Sequence, residues 1–236
     1  MTTTVVTGST RGIGRAIASA ILAHDGRVML TGRDQSSVDR VVEEMSSQAP
    51  GRVAGHVVDV RDPVGAERLM ADAAERFGGF DALVNNAGVG RFANVGDMTI
   101  DDWDSVIGTN LSGAFYCSHA AVPRLKQRGG GWIINISSLA GANPFATGAA
   151  YCASKAGLIA FSEALMQEVR FDNIRVSVIM PGSVATEFSR TSKDDDVSWK
   201  LTADDVARVV VDLLSHPSRS LPSKVELRPA KTKPKK

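Results

Sequence analysis

The stretch Thr7-Gly8-Ser9-Thr10-Arg11-Gly12-Ile13-Gly14 follows a short β-rich run and opens a helical one. Gly8 allows a sharp exit from the strand, Gly12 lets the backbone approach a ligand closely, and Gly14 lets the helix pack against the strand. The backbone N–H groups and the dipole of such a helix start attract phosphate groups. The stretch therefore predicts a phosphate-binding turn. A glycine cluster alone is weak evidence, because turns before helices use glycine for local geometry whatever they bind.

Beyond this turn, short β-rich runs alternate with longer amphipathic runs. The predicted strands are Thr3 to Thr7, Arg27 to Thr31, Arg52 to Val58, Ala82 to Asn85, Trp132 to Ile136, Arg175 to Ile179 and Val225 to Leu227. Helices are predicted to start near Ile13, Gln35, Pro63, Ile100, Ala149 and Ala203. This alternation is typical of parallel strands covered by helices. We therefore predict a single-domain α/β protein with a doubly wound Rossmann fold, in which a seven-stranded parallel sheet is flanked by helices on both faces.

Length and charge limit the function classes. A chain of 236 residues with 43% hydrophobic content buries one sizeable core but is short for two full domains. The 27 basic and 26 acidic side chains give a net charge of +1, so no global field favours nucleic acid or membrane binding. The four histidines are scattered without ligand spacing, which gives no reason to expect a metal. We expect a small-molecule substrate, with no nucleic-acid or membrane partner.

The two ends of the chain and its cysteines predict location and domain limits. The sequence shows no basic and apolar leader and no run of about 18 apolar residues. The two cysteines have no CxxC spacing, which suits a reducing, cytoplasmic compartment. We expect one domain over residues 1–228 and a disordered basic tail over residues 229–236, where lysines dominate. Contact of this tail with an acidic partner is the other interpretation.

A second nucleotide signal lies at the end of the second strand, in Thr31-Gly32-Arg33. Enzymes that use NAD usually carry an acidic side chain here to hold the ribose hydroxyls, and Gly32 carries none. Arg33, with Arg11 in the glycine turn, would instead bind the 2′-phosphate of NADP through guanidinium forks. The alternative is that both arginines are ordinary surface charges. Asp34 either turns toward the ribose or caps the next helix.

A pair of side chains with acid–base chemistry opens a later helix. Tyr151 and Lys155 are four residues apart, so the phenol and the ammonium share one helix face. A nearby cation stabilises phenolate and lowers the tyrosine pKa. Ser138 follows an apolar strand, at the carboxyl edge where parallel sheets bind ligands. An isolated YxxxK match is more often a packed tyrosine with a lysine stem over it, but here it joins the other signals.

Together these motifs resemble the short-chain dehydrogenase/reductase family from the first strand to about Thr186. The motifs that carry the resemblance are, in the family's order, Thr7 to Gly14, Asp59-Val60, Asn85 to Gly88, Asn110, Ser138, Tyr151 with Lys155, and Pro181-Gly182. The ending from Leu221 to Pro229 departs from the glycine-rich ending common in the family. This departure weakens any transfer of substrate identity.

The resemblance implies catalytic roles for four residues. Tyr151 would give the proton in carbonyl reduction, Lys155 would contact the tyrosine and the nicotinamide ribose, and Ser138 would orient the carbonyl. Asn110 would lie in a distorted helix and hold a water, and Gly108 weakens helix propensity at that place. Structurally, Asn110 could instead cap a helix break.

The resemblance also implies a cofactor site. Asp59 would receive the adenine amino group, and Asn86-Ala87-Gly88 would pack beside the adenosine ribose. The full set of implied NADP(H) residues is Gly8, Thr10, Arg11, Gly12, Ile13, Gly14, Arg33, Asp59, Val60, Asn86, Ala87, Gly88, Tyr151, Lys155, Pro181, Gly182, Val184 and Thr186. The alternative for the segments that follow strands, at Asn86 to Gly88 and at Pro181 to Val184, is that these residues only form the turns that end the strands.

We therefore expect an NADP(H)-dependent enzyme that interconverts a ketone or aldehyde and an alcohol. A 3-oxoacyl thioester reductase is an alternative of the same class, and a non-enzymatic NADP-binding regulator is an alternative of another. Residues 187–200 should form a lid in which Phe188 and Trp199 cover the ligand. Val89, Phe92, Leu139 and Phe145 are possible opposite walls. The family also favours a homodimer or homotetramer paired through the helices after Ile100 and Ala149.

Overall fold

Seven parallel strands form the centre of the molecule in the computed structural model, which describes residues 2–188 and 196–232. The strands are β1 (Thr3–Val6), β2 (Arg27–Gly32), β3 (Val53–Val57), β4 (Ala82–Asn85), β5 (Gly131–Ile136), β6 (Ile174–Pro181) and β7 (Lys224–Leu227). Their order across the sheet is β3-β2-β1-β4-β5-β6-β7. The order reverses direction beside β1, which creates the crevice where doubly wound sheets bind ligands.

Seven α-helices of the described residues connect these strands. They are α1 (Gly12–Ala23), α2 (Gln35–Gln48), α3 (Pro63–Phe77), α4 (Ile100–Ile107), α5 (Gly113–Gln127), α6 (Ala149–Val169) and α7 (Ala203–Ser215). Polar caps start several of them. For example, Asp34 accepts from the Ser37 N–H at α2, and Thr202 and Asp205 cap each other reciprocally at α7. These contacts explain why the polar residues before the apolar runs mark helix starts.

The helices cover both faces of the sheet, because its central strands are apolar on both sides. One buried cluster joins the sheet to α3, α5 and α6, and a second joins the other face to α1, α2 and α7. All four residues of β1 are buried. The predicted α/β, doubly wound, seven-stranded parallel fold is confirmed.

Several strand boundaries differ from the sequence prediction by one residue, and two differences are larger. β6 runs to Pro181 instead of Ile179, because its last residues pair with β7 in the register Pro181↔Leu227, a contact between distant parts of the chain. The single helix predicted after Ile100 is two α-helices joined by a π-helical turn over Gly108–Ser112. The distortion expected near Gly108 is therefore present.

Candidate active site

A cleft of about 1420 Å³ lies where β1, β2, β4, β5 and β6 end. Its volume exceeds the roughly 300–1,000 Å³ of sites for drug-sized ligands, so it has room for an extended dinucleotide beside a second molecule. The predicted site residues that line it are Gly8, Thr10, Arg11, Gly12, Ile13, Arg33, Asp59, Val60, Asn86, Ala87, Gly88, Ser138, Tyr151, Lys155, Pro181, Gly182, Val184 and Thr186. Two predicted residues, Gly14 and Asn110, do not line it.

The glycine turn forms one end of the cleft. Gly8 has φ +64°, and a Cβ there would lie 2.9 Å from the Ala87 Cα, so only glycine fits. A Cβ at Gly14 would lie 2.4 Å from the Asn86 amide nitrogen and from the Gly8 carbonyl oxygen. Gly14 thus acts through packing, which explains why it does not reach the cleft surface.

The start of α1 fits phosphate binding. Arg11 occupies its N-cap in extended conformation and makes no side-chain capping hydrogen bond, whereas Asp34 and Thr202 cap α2 and α7. The first N–H groups of α1 therefore keep their donor capacity at the cleft, where a pyrophosphate would accept from them. The residues present fit the dinucleotide that the sequence predicts.

The end of β2 forms the predicted ribose-reading corner. A Cβ at Gly32 would lie 2.7 Å from the Thr10 methyl and 3.1 Å from a Val38 methyl, so an acidic side chain there would require Thr10 to move. Asp34 accepts hydrogen bonds from the Ser37 N–H and the Ser36 hydroxyl at 2.8 Å each. These bonds hold the pKa of Asp34 below its usual value. Asp34 therefore caps α2 in this structure.

The same corner contains residues that the sequence reasoning missed. Arg15, Ser37 and Arg40 line the cleft together with Arg11 and Arg33. Ser37 and Arg40 are three residues apart in α2, so helical periodicity starting from the Asp34 cap could have placed them on one face. Their presence makes this end of the cleft rich in cationic and hydroxyl donors.

Two predicted cofactor residues are held by other side chains in this structure. The Asp59 carboxylate accepts three side-chain contacts from Arg61 at 2.6–3.0 Å and one from the Arg61 N–H at 3.0 Å. These hydrogen bonds lower the pKa of Asp59. Arg11 forms an ion pair with Glu187 at 3.2 Å, with both side chains largely exposed. An exposed pair of this kind is weak, so it leaves Arg11 available to a phosphate.

The predicted catalytic side chains meet at the other end of the cleft. Lys155 is buried and its Nζ donates to the Ile136 carbonyl at 2.8 Å, while Nζ lies 5.8 Å from the centre of the Tyr151 ring. The neighbouring Ser137 hydroxyl donates to the Lys155 carbonyl at 2.9 Å, which fixes the backbone of α6 to the end of β5. Ser138 follows Ser137 after the end of β5; its Oγ accepts from the Ala140 N–H at 3.1 Å and donates to the Pro181 carbonyl at 3.5 Å, and its hydroxyl is near enough to the Tyr151 phenol to affect the pKa of that phenol. The residues that follow β5 therefore border both Tyr151 and Lys155.

Burial changes the acid–base properties of this pair. Burial raises the pKa of Tyr151, and the hydrogen bond from Ser138 opposes that rise. Burial also lowers the pKa of Lys155 to about 8. The sequence reasoning expected Lys155 to lower the tyrosine pKa. The structure gives the opposite direction, because loss of hydration is the largest influence on the Tyr151 pKa and the Lys155 Nζ lies 5.8 Å from the ring centre.

Asn110 lies in the π-helical turn and is buried. Its Oδ1 accepts from the Val89 N–H at 2.8 Å, and its Nδ2 donates to the Val89 carbonyl at 2.9 Å and to the Ser154 hydroxyl at 3.0 Å. Both amide protons are thus used, and only acceptor capacity on Oδ1 remains in the side chain. Asn110 ties the loop after β4 to α6.

Aromatic side chains surround the mouth of the cleft beside Tyr151. Phe92, Phe145, Phe188 and Trp199 all line it, as do Val89 and Leu139. The predicted walls and covering residues therefore share one cleft. Of the predicted lid over residues 187–200, residues 189–195 lie outside the described part of the chain, including the acidic Asp194 and Asp195.

The predicted basic tail begins at this cleft. Pro229, Lys231 and Thr232 line it, and a Cβ on Gly182 would lie 2.9 Å from the Pro229 ring. Residues 233–236 lie outside the described part of the chain. The division into a domain over residues 1–228 and a tail over residues 229–236 stays a prediction.

Within residues 2–188 and 196–232, no three histidine, cysteine or carboxylate side chains come together to hold a metal ion. No helix in the same residues combines the length and apolar character that crossing a membrane requires.

The sequence of this chain matches a family model and several characterised proteins. A model described as short chain dehydrogenase matches residues 2–197. The D-beta-hydroxybutyrate dehydrogenase of Rhizobium meliloti is 38% identical over 187 residues, which cover 78% of this chain and 72% of the relative. The 3-oxoacyl-[acyl-carrier-protein] reductase of Salmonella typhimurium is 36% identical over 191 residues, covering 81% and 77%.

Solved structures share the fold over nearly the whole chain. A metagenomic short-chain oxidoreductase in complex with NADP superposes with a TM-score of 0.85 at 35% identity, covering 98% of both chains. The closed form of serine dehydrogenase complexed with NADP⁺ gives a TM-score of 0.85 at 30% identity, covering 95% of this chain and 94% of the other. Both neighbours carry the phosphorylated nicotinamide dinucleotide.

Proposed function

The chain belongs to the short-chain dehydrogenase/reductase family of nicotinamide-dependent oxidoreductases, and from that premise we propose an NADPH-dependent reductase of a ketone or aldehyde. One observation carries the proposal. Ser138, Tyr151 and Lys155 meet at one end of a cleft whose other end is the phosphate-binding turn over Thr7 to Gly14. This arrangement places proton chemistry and a dinucleotide site in one continuous space.

The chain's own residues would handle the proton. When bound, a reduced nicotinamide supplies the hydride to the carbonyl carbon. Tyr151 donates its phenolic proton to the carbonyl oxygen as that oxygen gains charge, and Ser138 donates a hydrogen bond to the same oxygen. The positive charge of Lys155, whose Nζ lies 5.8 Å from the centre of the Tyr151 ring, then favours the phenolate that is left. Because burial raises the pKa of Tyr151, the phenol is protonated at neutral pH, as reduction requires.

Several observations support NADP over NAD. Arg11, Arg33 and Arg40 line the corner beside Gly32, which carries no acid, and Asp34 is used in capping α2. Guanidinium groups suit a 2′-phosphate, since their planar forks match its oxygens. Two solved neighbours are described with NADP or NADP⁺ bound. NAD has no phosphate on this ribose, so the arginines of the corner would have no anionic group to bind there.

A 3-oxoacyl thioester reductase is a second candidate, because a relative 36% identical to this chain carries that name. Stopped-flow oxidation of NADPH and NADH against aldehydes, ketones and a 3-oxobutyryl thioester tests both readings. We expect NADPH turnover on at least one free carbonyl compound, at an efficiency about tenfold or more above that with NADH. Turnover of the thioester alone would select the second candidate. Tight NADPH binding without any turnover would instead indicate a non-enzymatic regulator.

A further inference from the structure

Three phenylalanines from separate loops lie beside the catalytic tyrosine: Phe92 and Phe188 contact the Tyr151 ring, and Phe145 contacts Phe92. Phe92 follows β4, Phe145 precedes α6 and Phe188 follows β6. The ring centres of Phe92 and Phe145 are 6.0 Å apart, and those of Phe92 and Phe188 each lie 5.7 Å from the Tyr151 ring. We call Phe92, Phe145 and Phe188 the phenylalanine trio. Offset and edge contacts at these distances are the favourable arrangement for aromatic rings.

The trio is exposed although it is apolar. Its members are 51%, 49% and 44% exposed, in chain order. None of them belongs to the buried clusters that hold the helices to the sheet. Their ring contacts join Phe145 to Phe92, and Phe92 and Phe188 to Tyr151, and all three line the cleft. An apolar patch that serves no core packing and borders a binding cleft is suited to cover a ligand.

The backbone leaves room for these rings. A Cβ at Gly90 would lie 2.9 Å from both the Phe92 and the Phe188 ring, and a Cβ at Gly148 would lie 2.7 Å from the Phe145 ring. Any larger residue at Gly90 or Gly148 would displace a member of the trio. Small residues are therefore present where the rings need space beside the phenol.

We propose that the substrate is a ketone or aldehyde whose carbonyl carbon carries an aromatic ring, and that this ring packs against the phenylalanine trio. This inference rests on the proposed function. With the carbonyl oxygen at Tyr151, the group attached to the carbonyl carbon lies among the rings around that phenol. A flat apolar group there covers exposed ring surface and makes stacking contacts, which a short aliphatic carboxylate cannot make. The trio thus distinguishes this site from one built for a small keto acid.

Steady-state kinetics with NADPH tests the substrate class. We expect kcat/KM for acetophenone to exceed that for acetoacetate by about tenfold or more. Phe145→Ala, and separately Phe92→Ala, should raise KM for acetophenone by about tenfold and change KM for acetoacetate little. Phe171→Ala is the matched control, because Phe171 is 90% exposed and does not line the cleft. A preference for acetoacetate, or equal effects of Phe145→Ala on both substrates, would overturn the proposal.

Binding without turnover separates this inference from the proposed function. Saturation-transfer NMR of acetophenone with the NADPH-loaded Tyr151→Phe variant should show contact, and adding Phe145→Ala should weaken it. If acetophenone contacts the protein and Phe145→Ala weakens that contact, but the unaltered protein does not oxidise NADPH, only the reductase proposal is contradicted. Reduction of other carbonyl compounds by NADPH, together with no acetophenone contact, contradicts the aromatic substrate alone.

Discussion

Lys155 is a buried cation whose cost to folding is set by pH. Its pKa falls from 10.5 in water to about 8 in the folded protein. Below about pH 8 both states hold the proton, so the folded state carries the full desolvation penalty. As pH rises from about 8 to 10.5 the folded state releases its proton first, and the penalty is relieved.

Lys155→Met should therefore stabilise the ligand-free protein while abolishing activity. We expect the unfolding free energy at pH 7 to rise by on the order of 1–3 kcal/mol, partly offset by the Ile136 carbonyl losing its donor. The gain should shrink by pH 10. Urea denaturation at both pH values measures it, with the exposed Lys224→Met as control. An equal difference at both pH values would contradict a buried, desolvated lysine.

Arg33 tests the cofactor corner. Arg33→Asp should raise KM for NADPH by about ten- to a hundredfold, because each hydrogen bond to a charged phosphate contributes about 1.5–3 kcal/mol. KM for NADH should change much less. Initial rates with both cofactors measure the split, and Arg68→Asp, on an exposed position away from the cleft, controls for charge alone. Equal effects on the two cofactors would argue that Arg33 is an ordinary surface charge.

The sequence predicted which residues meet at the catalytic end of the cleft, but not their acid–base properties. The types and order of Ser138, Tyr151 and Lys155 predicted their convergence, because a strand end and a helix face fix where side chains lie. Their pKa shifts could not be predicted, since burial of Lys155 depends on packing of α6 against β6 and against the turn that follows β5. The hydrogen bonds from Arg61 to Asp59 likewise depend on side-chain conformations, which the spacing of the two residues in the sequence does not determine.

At the scale of elements, the π-helical turn over Gly108–Ser112 connects the loop after β4 to α6. Asn110 makes this connection through the Val89 backbone and the Ser154 hydroxyl. A turn of this kind opens the regular hydrogen-bond ladder and is frequent at functional sites. Gly108 made distortion predictable, but the partners of Asn110, in the loop after β4 and on α6, are far away in sequence.

Asn110→Ala should weaken both the loop and catalysis. It would leave the Val89 N–H and carbonyl without their partner, at a cost of about 1–3 kcal/mol per buried group. We expect a lower unfolding free energy and a lower kcat, with NADPH affinity less affected. Denaturant unfolding and initial rates measure these changes, with the exposed Asn94→Ala in the same loop as control. Unchanged kcat would show that the turn merely breaks the helix.

At the scale of the molecule, an aromatic surface on α5 and α6 lies away from the cleft. Phe115 on α5 is 47% exposed, stacks on His119 at 5.8 Å and contacts Phe161 on α6 at 6.1 Å between ring centres. We predict that a second copy of the chain covers this surface, giving the homodimer or homotetramer expected from the family resemblance. Exposed aromatic rings on adjacent helices are typical of such interfaces.

Phe115→Glu should dissociate this assembly, because a carboxylate would be buried against apolar surface. Light scattering on a sizing column should report a single-chain mass for the variant and a multiple for the unaltered protein. Phe171→Glu, in the turn after α6, should leave the assembly intact. A single-chain mass for the unaltered protein would refute the predicted oligomer.

The alternation of strand and helix patterns was enough to predict the layered architecture, because each pattern reflects which faces are buried. It could not predict that β6 extends to Pro181, since that depends on pairing with β7. The phenylalanine trio was predicted residue by residue as walls or cover. Its convergence on Tyr151 depends on three loops whose paths the local sequence does not fix.

Single-turnover oxidation of bound NADPH by a carbonyl substrate, compared between the unaltered protein and Tyr151→Phe, tests the central claim most directly. Removing one hydroxyl leaves the ring and its contacts with Phe92 and Phe188, so NADPH should still bind, and saturating NADPH restricts the comparison to the bound state. We expect the rate to fall by about 10²-fold or more, as loss of general acid catalysis requires. An undiminished rate in Tyr151→Phe would contradict proton transfer by Tyr151.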